Sequence, residues 1–319
     1  MDFLTRYPTI IKNKKKYFLI LNQGDKHKGY TEVFIMKKNN NIYNLIEKKV
    51  ILKNKFNISH NFTILKDKDN NKNKKIYYGI GGKNRNQYPW NESVDKNYCG
   101  IYLLKSNDLL NWSFVKKQPI INLNYPQKGI FGFEKNGPLW DSNICCFYSQ
   151  LLKKYILYIR ANLKPHIRFI QQITSNNLIN WTNYKKININ NHDENNHNYY
   201  MFKVVELEDK KVFFGLSPFT NKKNNPTKMF IKKMISFDSL NWIDCGKLID
   251  GKLMDWCSYR MDTHIAQILY SNNKLKIYLQ FGYSSNNTKK NIIEYKFKIN
   301  NINDLKNIEI KNQKGNIFI

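Results

Sequence analysis

Ser106-Asn-Asp-Leu-Leu-Asn-Trp112 recurs twice along the chain, as Ser175-Asn-Asn-Leu-Ile-Asn-Trp181 and Ser236-Phe-Asp-Ser-Leu-Asn-Trp242. From Trp112 to Trp181 to Trp242 the copies stand 69 and 61 positions apart. Each follows one apolar, strand-like run and precedes another. A unit of this size repeated along a chain marks a repeat architecture. Ser and Asp or Asn side chains bond local backbone groups and suit a tight turn. The Trp is then free to pack between neighbouring units.

The runs around the repeat fall into five groups. Residues 8–52 hold Tyr17–Asn22, Glu32–Lys37 and Tyr43–Leu52, separated by turn-rich segments. Residues 58–118, 141–187, 199–249 and 262–312 each hold about four more runs, Ile308–Lys311 closing the last. Helical periodicity is weak throughout. Short strands at regular spacing, joined by polar turns, mean an all-β fold. Four strands per unit fit a propeller blade. The expectation is a five-bladed β-propeller of four-stranded antiparallel blades, forming one domain over residues 1–319.

Blade geometry sorts the loops. The 1–2 and 3–4 turns share one face, here the bottom, and the Ser…Trp repeats are 3–4 turns. The 2–3 and 4–1 connections share the top, where the long segments 81–100, 119–142, 188–200 and 250–263 fall. Loops longer than a connection needs usually carry function. Arg85, Arg160, Arg168 and Arg260 lie at expected top-face positions, as do Trp90, Trp140 and Trp256. Arg offers a rigid fork for carboxylate, phosphate or vicinal hydroxyl oxygens.

The net charge is +29. It comes from 48 Lys against 5 Arg, beside 48 Asn and 2 Ala. Residues with AT-rich codons dominate, so base composition accounts for much of the excess. The lysines are spread along the chain, whereas nucleic-acid binding wants a clustered stripe. A nucleic-acid partner is not expected. No 18-residue apolar run suggests a membrane span, and the first residues lack a signal peptide's pattern. Five cysteines form no metal spacing and no even disulfide set, and adjacent Cys145 and Cys146 in a strand point to opposite faces. A cytoplasmic setting is expected, with neither cofactor nor metal. No P-loop, dinucleotide fingerprint or Ser nucleophile elbow is present. His192 and His197, in an Asn-rich loop, read as solvated.

Five four-stranded blades with Ser-x-Asp-Leu-x-Asn-Trp turns resemble the five-bladed β-propeller glycoside hydrolases. These include the arabinanase and xylosidase-type enzymes of family 43 and the invertase and levansucrase-type enzymes of families 32 and 68. The segments 140–148 and 154–160 resemble paired inner strands of that group. The resemblance implies a carbohydrate substrate in an axial funnel, with acidic residues at the starts of innermost strands.

Glycoside hydrolysis needs a carboxylic acid to protonate the leaving oxygen and a carboxylate to activate water or attack the anomeric carbon. Asp141 and Asp262, at the starts of first strands, are the candidate carboxylates, and Glu134 is the candidate acid. Candidate substrate-binding residues are His60, Asn61, Asn143, Arg160, Arg168, Arg260, His264 and Trp90. Such enzymes typically carry carboxylates in the first blades. Here blade 1 offers only Asp2 and blade 2 offers His60-Asn61. The alternative is therefore a non-catalytic glycan-binding or protein-interaction propeller.

Overall fold

The computed structural model describes residues 5–23, 30–39, 42–52, 62–68, 75–83, 100–122, 144–164, 167–221, 228–255, 260–261, 263–281, 291–311 and 316–317. Blade 1 is β1 (Thr5–Asn13), β2 (Lys16–Gln23), β3 (Tyr30–Asn39) and β4 (Ile42–Leu52). Blade 2 is β5 (Thr63–Lys66), β6 (Tyr77–Lys83), β7 (Gly100–Ser106) and β8 (Ser113–Phe114), with β9 (Ile121–Asn122) also on β7. Blade 3 is β10 (Cys145–Ser149), β11 (Lys154–Lys164), β12 (Ile167–Ser175) and β13 (Lys185–Lys186).

Two short strands follow, β14 (Asn188–Ile189) and β15 (His197–Tyr199). Blade 4 is β16 (Lys203–Leu207), β17 (Val212–Asn221), β18 (Lys228–Ser236) and β19 (Asn241–Asp255), and β20 (Arg260–Met261) pairs with β19. Blade 5 is β21 (His264–Ser271), β22 (Lys274–Phe281), β23 (Asn291–Lys298) and β24 (Asn316–Ile317), with the helix α1 (Ile302–Asn307) before β24. Each blade runs antiparallel in sequence order, and the parallel β14–β19 pair is an addition at the edge of blade 4.

The first strands β1, β5, β10, β16 and β21 neighbour one another in turn, and β21 returns to β1. That closes a ring of five blades. Side chains alternate across a strand, so each sheet offers one face to each neighbour. The core divides accordingly into five clusters, one per blade interface. Cys145 faces blade 4 and Cys146 faces blade 2, on opposite sides of β10 as expected. The ring closes between blades 5 and 1, where Ala266, Tyr278 and Ile292 pack on Tyr17, Phe34 and Tyr43. Glu294 of β23 is buried there, bound by Lys38 from blade 1, by Lys276, and by the hydroxyls of Tyr43 and Tyr278 at 2.9 and 3.0 Å. Burial alone would raise its carboxyl, but these donors and charges outweigh burial and hold it at about 2.

The three repeats form one turn built three times. Ser106 Oγ accepts from the N–H of Asp108 and Leu109, and Asp108 Oδ1 accepts from those of Leu110 and Asn111. The indole N–H of Trp112, Trp181 and Trp242 donates to the carbonyl of Leu109, Leu178 and Ser239. Those three residues share a left-handed backbone, with φ of 70°, 64° and 69°. That conformation costs an L-residue about 1–2 kcal/mol, and the surrounding hydrogen bonds hold it. The turn of blade 4 is also an anchor. Tyr158 of blade 3 donates its hydroxyl to the Ser239 carbonyl at 2.7 Å, and Gln172 Nε2 reaches the same oxygen at 2.9 Å.

Three expected loops and strands differ. Segment 250–263 does not leave the sheet at residue 250: β19 continues to Asp255 and folds back onto β20. Gly246, with φ of 84°, absorbs a register shift midway, so the Asp250-Gly251 pair is strand where composition suggests a turn. Ile308–Lys311 is not the last strand. Asn301 and Asp304 form a reciprocal capping box that starts α1, too short for periodicity to reveal, and β24 is the outer strand. Segment 188–200 lies along blade 4 through β14 and β15, and His192 stacks on Phe169 at 4.1 Å instead of facing solvent.

Candidate functional site

Strand direction fixes the top face. First strands begin there, second strands end there and third strands begin there. Arg160 and Asn162 lie near the upper end of β11, opposite Ile170 and Arg168 in the ladder. Arg160 is 4% exposed, and its Nε donates to Asn162 Oδ1 at 2.8 Å. Gln171 Nε2 donates to the Arg160 carbonyl at 3.0 Å. The Asn162 oxygen accepts from the guanidinium itself, and a buried guanidinium requires such acceptors because an uncompensated buried charge is costly.

Arg168 is the second residue of β12, the third strand of blade 3. Its backbone N–H donates to Asn198 Oδ1 at 2.8 Å, and Asn198 in turn donates to Thr220 Oγ1 at 3.2 Å. This ties blade 3 to the upper edge of blade 4. The Arg168 guanidinium stacks over the ring of Tyr200, 4.8 Å from its centroid, a cation–π contact. Tyr200 meets His264 of blade 5 edge to face, with centroids 6.0 Å apart. His264 opens β21 opposite Gln280, and both are buried. A continuous line of polar and aromatic side chains, Arg168–Tyr200–His264, thus spans three blades on one face.

Of the expected site residues, Arg168 and His264 are linked through Tyr200, and Arg160 lies near the upper end of β11 in the same blade as Arg168. The backbone of Arg260 pairs with that of Asp255. Asp141, Asp262, Glu134, His60, Asn61, Asn143 and Trp90 lie outside the described residues. Among the described residues, no three His, Cys, Asp or Glu side chains gather as a metal would require. No described helix is long and apolar enough to cross a membrane. Asn162, Asn198 and Gln280 were not singled out by sequence. For Asn162 and Gln280 the signal is a polar residue inside a largely apolar strand, which becomes informative only once the blade register is known; Asn198 lies in an Asn-rich segment and carries no such signal.

No protein-family model matches the chain. No curated protein matches either. Solved structures do. An N-acetylgalactosamine deacetylase from F. plautii, in complex with blood group B trisaccharide, superposes with a TM-score of 0.56 at 14% identity, over 88% of this chain and 82% of that one. An α-L-arabinanase of Penicillium chrysogenum, complexed with arabinobiose, gives 0.54 at 13%, over 91% and 80%. A β-xylosidase gives 0.53 at 9%, over 98% and 94%. At such identity the likeness is one of fold. The chain is a five-bladed β-propeller, a fold it shares with these solved structures.

Proposed function

We propose that the protein takes a glycan on its top face and cleaves a glycosidic bond there, with Asp141, Asp262 and Glu134 as the carboxyl groups. Glu134 protonates the leaving oxygen, and Asp141 or Asp262 activates water or attacks the anomeric carbon. The observation that carries the reading is the Arg168–Tyr200–His264 line. An aromatic face beside fixed polar donors suits a sugar, which offers an apolar face and a rim of hydroxyls. The similar structures support the ligand class, since one holds arabinobiose and another a trisaccharide. One is an arabinanase and another a deacetylase, so fold alone does not choose the reaction. Three described cysteines are free thiols, which suits a reduced, cytoplasmic setting.

The second reading is a propeller that binds a glycan or a protein without cleaving anything. The departure at His60-Asn61, where a carboxylate would be expected, favours it. A panel of chromogenic glycosides tests the choice. Turnover by the wild type that falls by about 10³-fold in Asp141→Asn, with glycan affinity retained, supports hydrolysis. Glycan binding without turnover of any panel member supports the second reading.

A further inference from the structure

Below the Arg168–Tyr200–His264 line, the propeller axis holds a feature that glycan chemistry on the top face does not use. Lys203 opens β16, the innermost strand of blade 4, and is 2% exposed. Phe202 and Val204 flank it and Leu216 lies opposite in the ladder, all apolar. Among the described residues no carboxylate, hydroxyl or carbonyl accepts from its ammonium. Burial lowers the amine to about 8, with only the Cys145 thiol acting in the opposite sense. An ammonium buried without an acceptor is costly. A neutral Met would fill that place more cheaply.

Lys203 lines a cavity of about 670 Å³ walled by strands of all five blades and reaching the bottom face. That volume lies in the range of small-molecule sites, about 300–1,000 Å³. Lys12 and Lys66 stand nearer the mouth, and neither has an ion pair among the described residues. Burial lowers Lys66, and the charges of Lys75 and Lys12 lower it further, so cations are crowded there. Three carboxylates also line the cavity. Glu206 is committed to the turn after β10, accepting from Ser149 and from the N–H of Gln150 and Leu151. Asp67 accepts from the Tyr155 hydroxyl at 3.0 Å, and Glu208 sits in the next turn. Of the two other lysines, Lys276 is held by Glu294 at 3.1 Å and Lys68 lies over the Tyr148 ring.

We propose that this lower axial cavity is a second binding site, for a small phosphate-bearing molecule, with Lys203 at its inner end holding the phosphate and Lys66 and Lys12 drawing the anion in. Like charges gathered at the mouth of a low-dielectric channel focus the field on an incoming anion. At about 3.3 Å per residue, Lys203 lies roughly 10 Å above the level of Lys66, so the lysines act in sequence along the axis. Phe147 and Tyr148 on the wall offer apolar surface to the body of an organic phosphate.

The test is calorimetric titration of the purified protein with inorganic phosphate, a hexose 6-phosphate and the free hexose, at matched ionic strength. The wild type is expected to bind at least one phosphate probe and not the free hexose. Lys203→Met should lose at least tenfold in affinity while keeping or raising the melting temperature. A hexose 6-phosphate that binds more tightly than inorganic phosphate identifies an organic ligand, and equal affinities identify the free ion; either supports the site. General salting effects of phosphate would act on the variant equally. Should Lys203→Met fail to fold, Lys12→Ala with Lys66→Ala is expected to weaken phosphate binding several-fold at low salt. No binding of either phosphate probe, or undiminished binding in the variant that folds, overturns the proposal.

Discussion

Phe202 and Trp242 meet edge to face, with ring centroids 4.7 Å apart and planes at 77°. Phe62 and Trp112 repeat the contact in blade 2 at 5.3 Å and 84°. Both pairs exist because the facing strand carries glycine. A Cβ on Gly215 would stand 2.5 Å from the Phe202 ring and 2.9 Å from Trp242, and Gly79 meets Phe62 and Trp112 in the same way. Blade 3 exchanges the sizes: Ile144 stands where the Phe would be, Leu157 takes the glycine position opposite Cys146, and Trp181 is only half-buried.

Gly215→Ala should therefore destabilise the fold by about 1–3 kcal/mol, the usual cost of overpacking a filled core. Urea unfolding measures it. Adding Phe202→Leu should recover part of the loss, as blade 3 does naturally. A neutral Gly215→Ala would contradict this packing account.

The repeated turns give a second expectation. Asp238 accepts from the N–H of Leu240 and Asn241 at 2.9 and 2.7 Å and from the Asn241 side chain. Some burial acts against its charge, yet these donors outweigh it and hold the carboxyl below its ordinary range. Asp238→Ala should cost about 1–3 kcal/mol, because it strips acceptors from a left-handed turn that also anchors blade 3. A thermal shift within error of the wild type would show that the turn persists without them.

Glu294 makes ring closure pH-dependent. Its carboxyl is held at about 2 in the folded protein, against about 4.3 in an unfolded chain. Its stabilisation is thus complete above about pH 4.3 and is lost as pH falls toward 2. Glu294→Gln should destabilise by about 3–5 kcal/mol near neutrality, since it leaves Lys38 and Lys276 without their buried partner. It should also flatten the acid limb of the stability curve. An unchanged acid limb would remove Glu294 from the account.

His192 acts in a higher window. Burial and the neighbouring His197 lower it from 6.5 to about 4, with Lys186 adding to the effect and Glu194 and Asp193 opposing it. Both ring nitrogens are buried, and neither has a hydrogen-bond partner among the described residues. The unfolded chain takes up a proton between pH 6.5 and 4 while the folded one does not, so stability should fall as pH drops through that range. His192→Leu should remove this slope, readable in melting temperatures taken from pH 7 to 4.

The blade count was legible because the Ser…Trp turn is local: one short stretch carries its own acceptors and its own cap, so it reads the same in sequence and in space. Strand register followed from alternation. The helix at Ile302 was hidden because its signal is a capping pair and not a period. The continuation of β19 was hidden because the Asp250-Gly251 pair reads as a turn, while in the structure the strand runs through it to Asp255. At the top face, Arg160 and Arg168 stood out as rare residues in a lysine-rich chain. Asn198 and Lys203 did not, since their meaning lies in burial between blades distant in sequence.

Glycan binding measured by calorimetry on face-specific variants bears most directly on the central claim, that the sugar sits on the top face. Tyr200→Ala and His264→Ala alter that face, while Phe237→Ala removes an exposed aromatic from a bottom-face turn. With an oligosaccharide bound by the wild type, both top-face variants are expected to lose at least about tenfold, or 1.4 kcal/mol, and Phe237→Ala to bind unchanged. Loss confined to Phe237→Ala, or full affinity in both top-face variants, would contradict it.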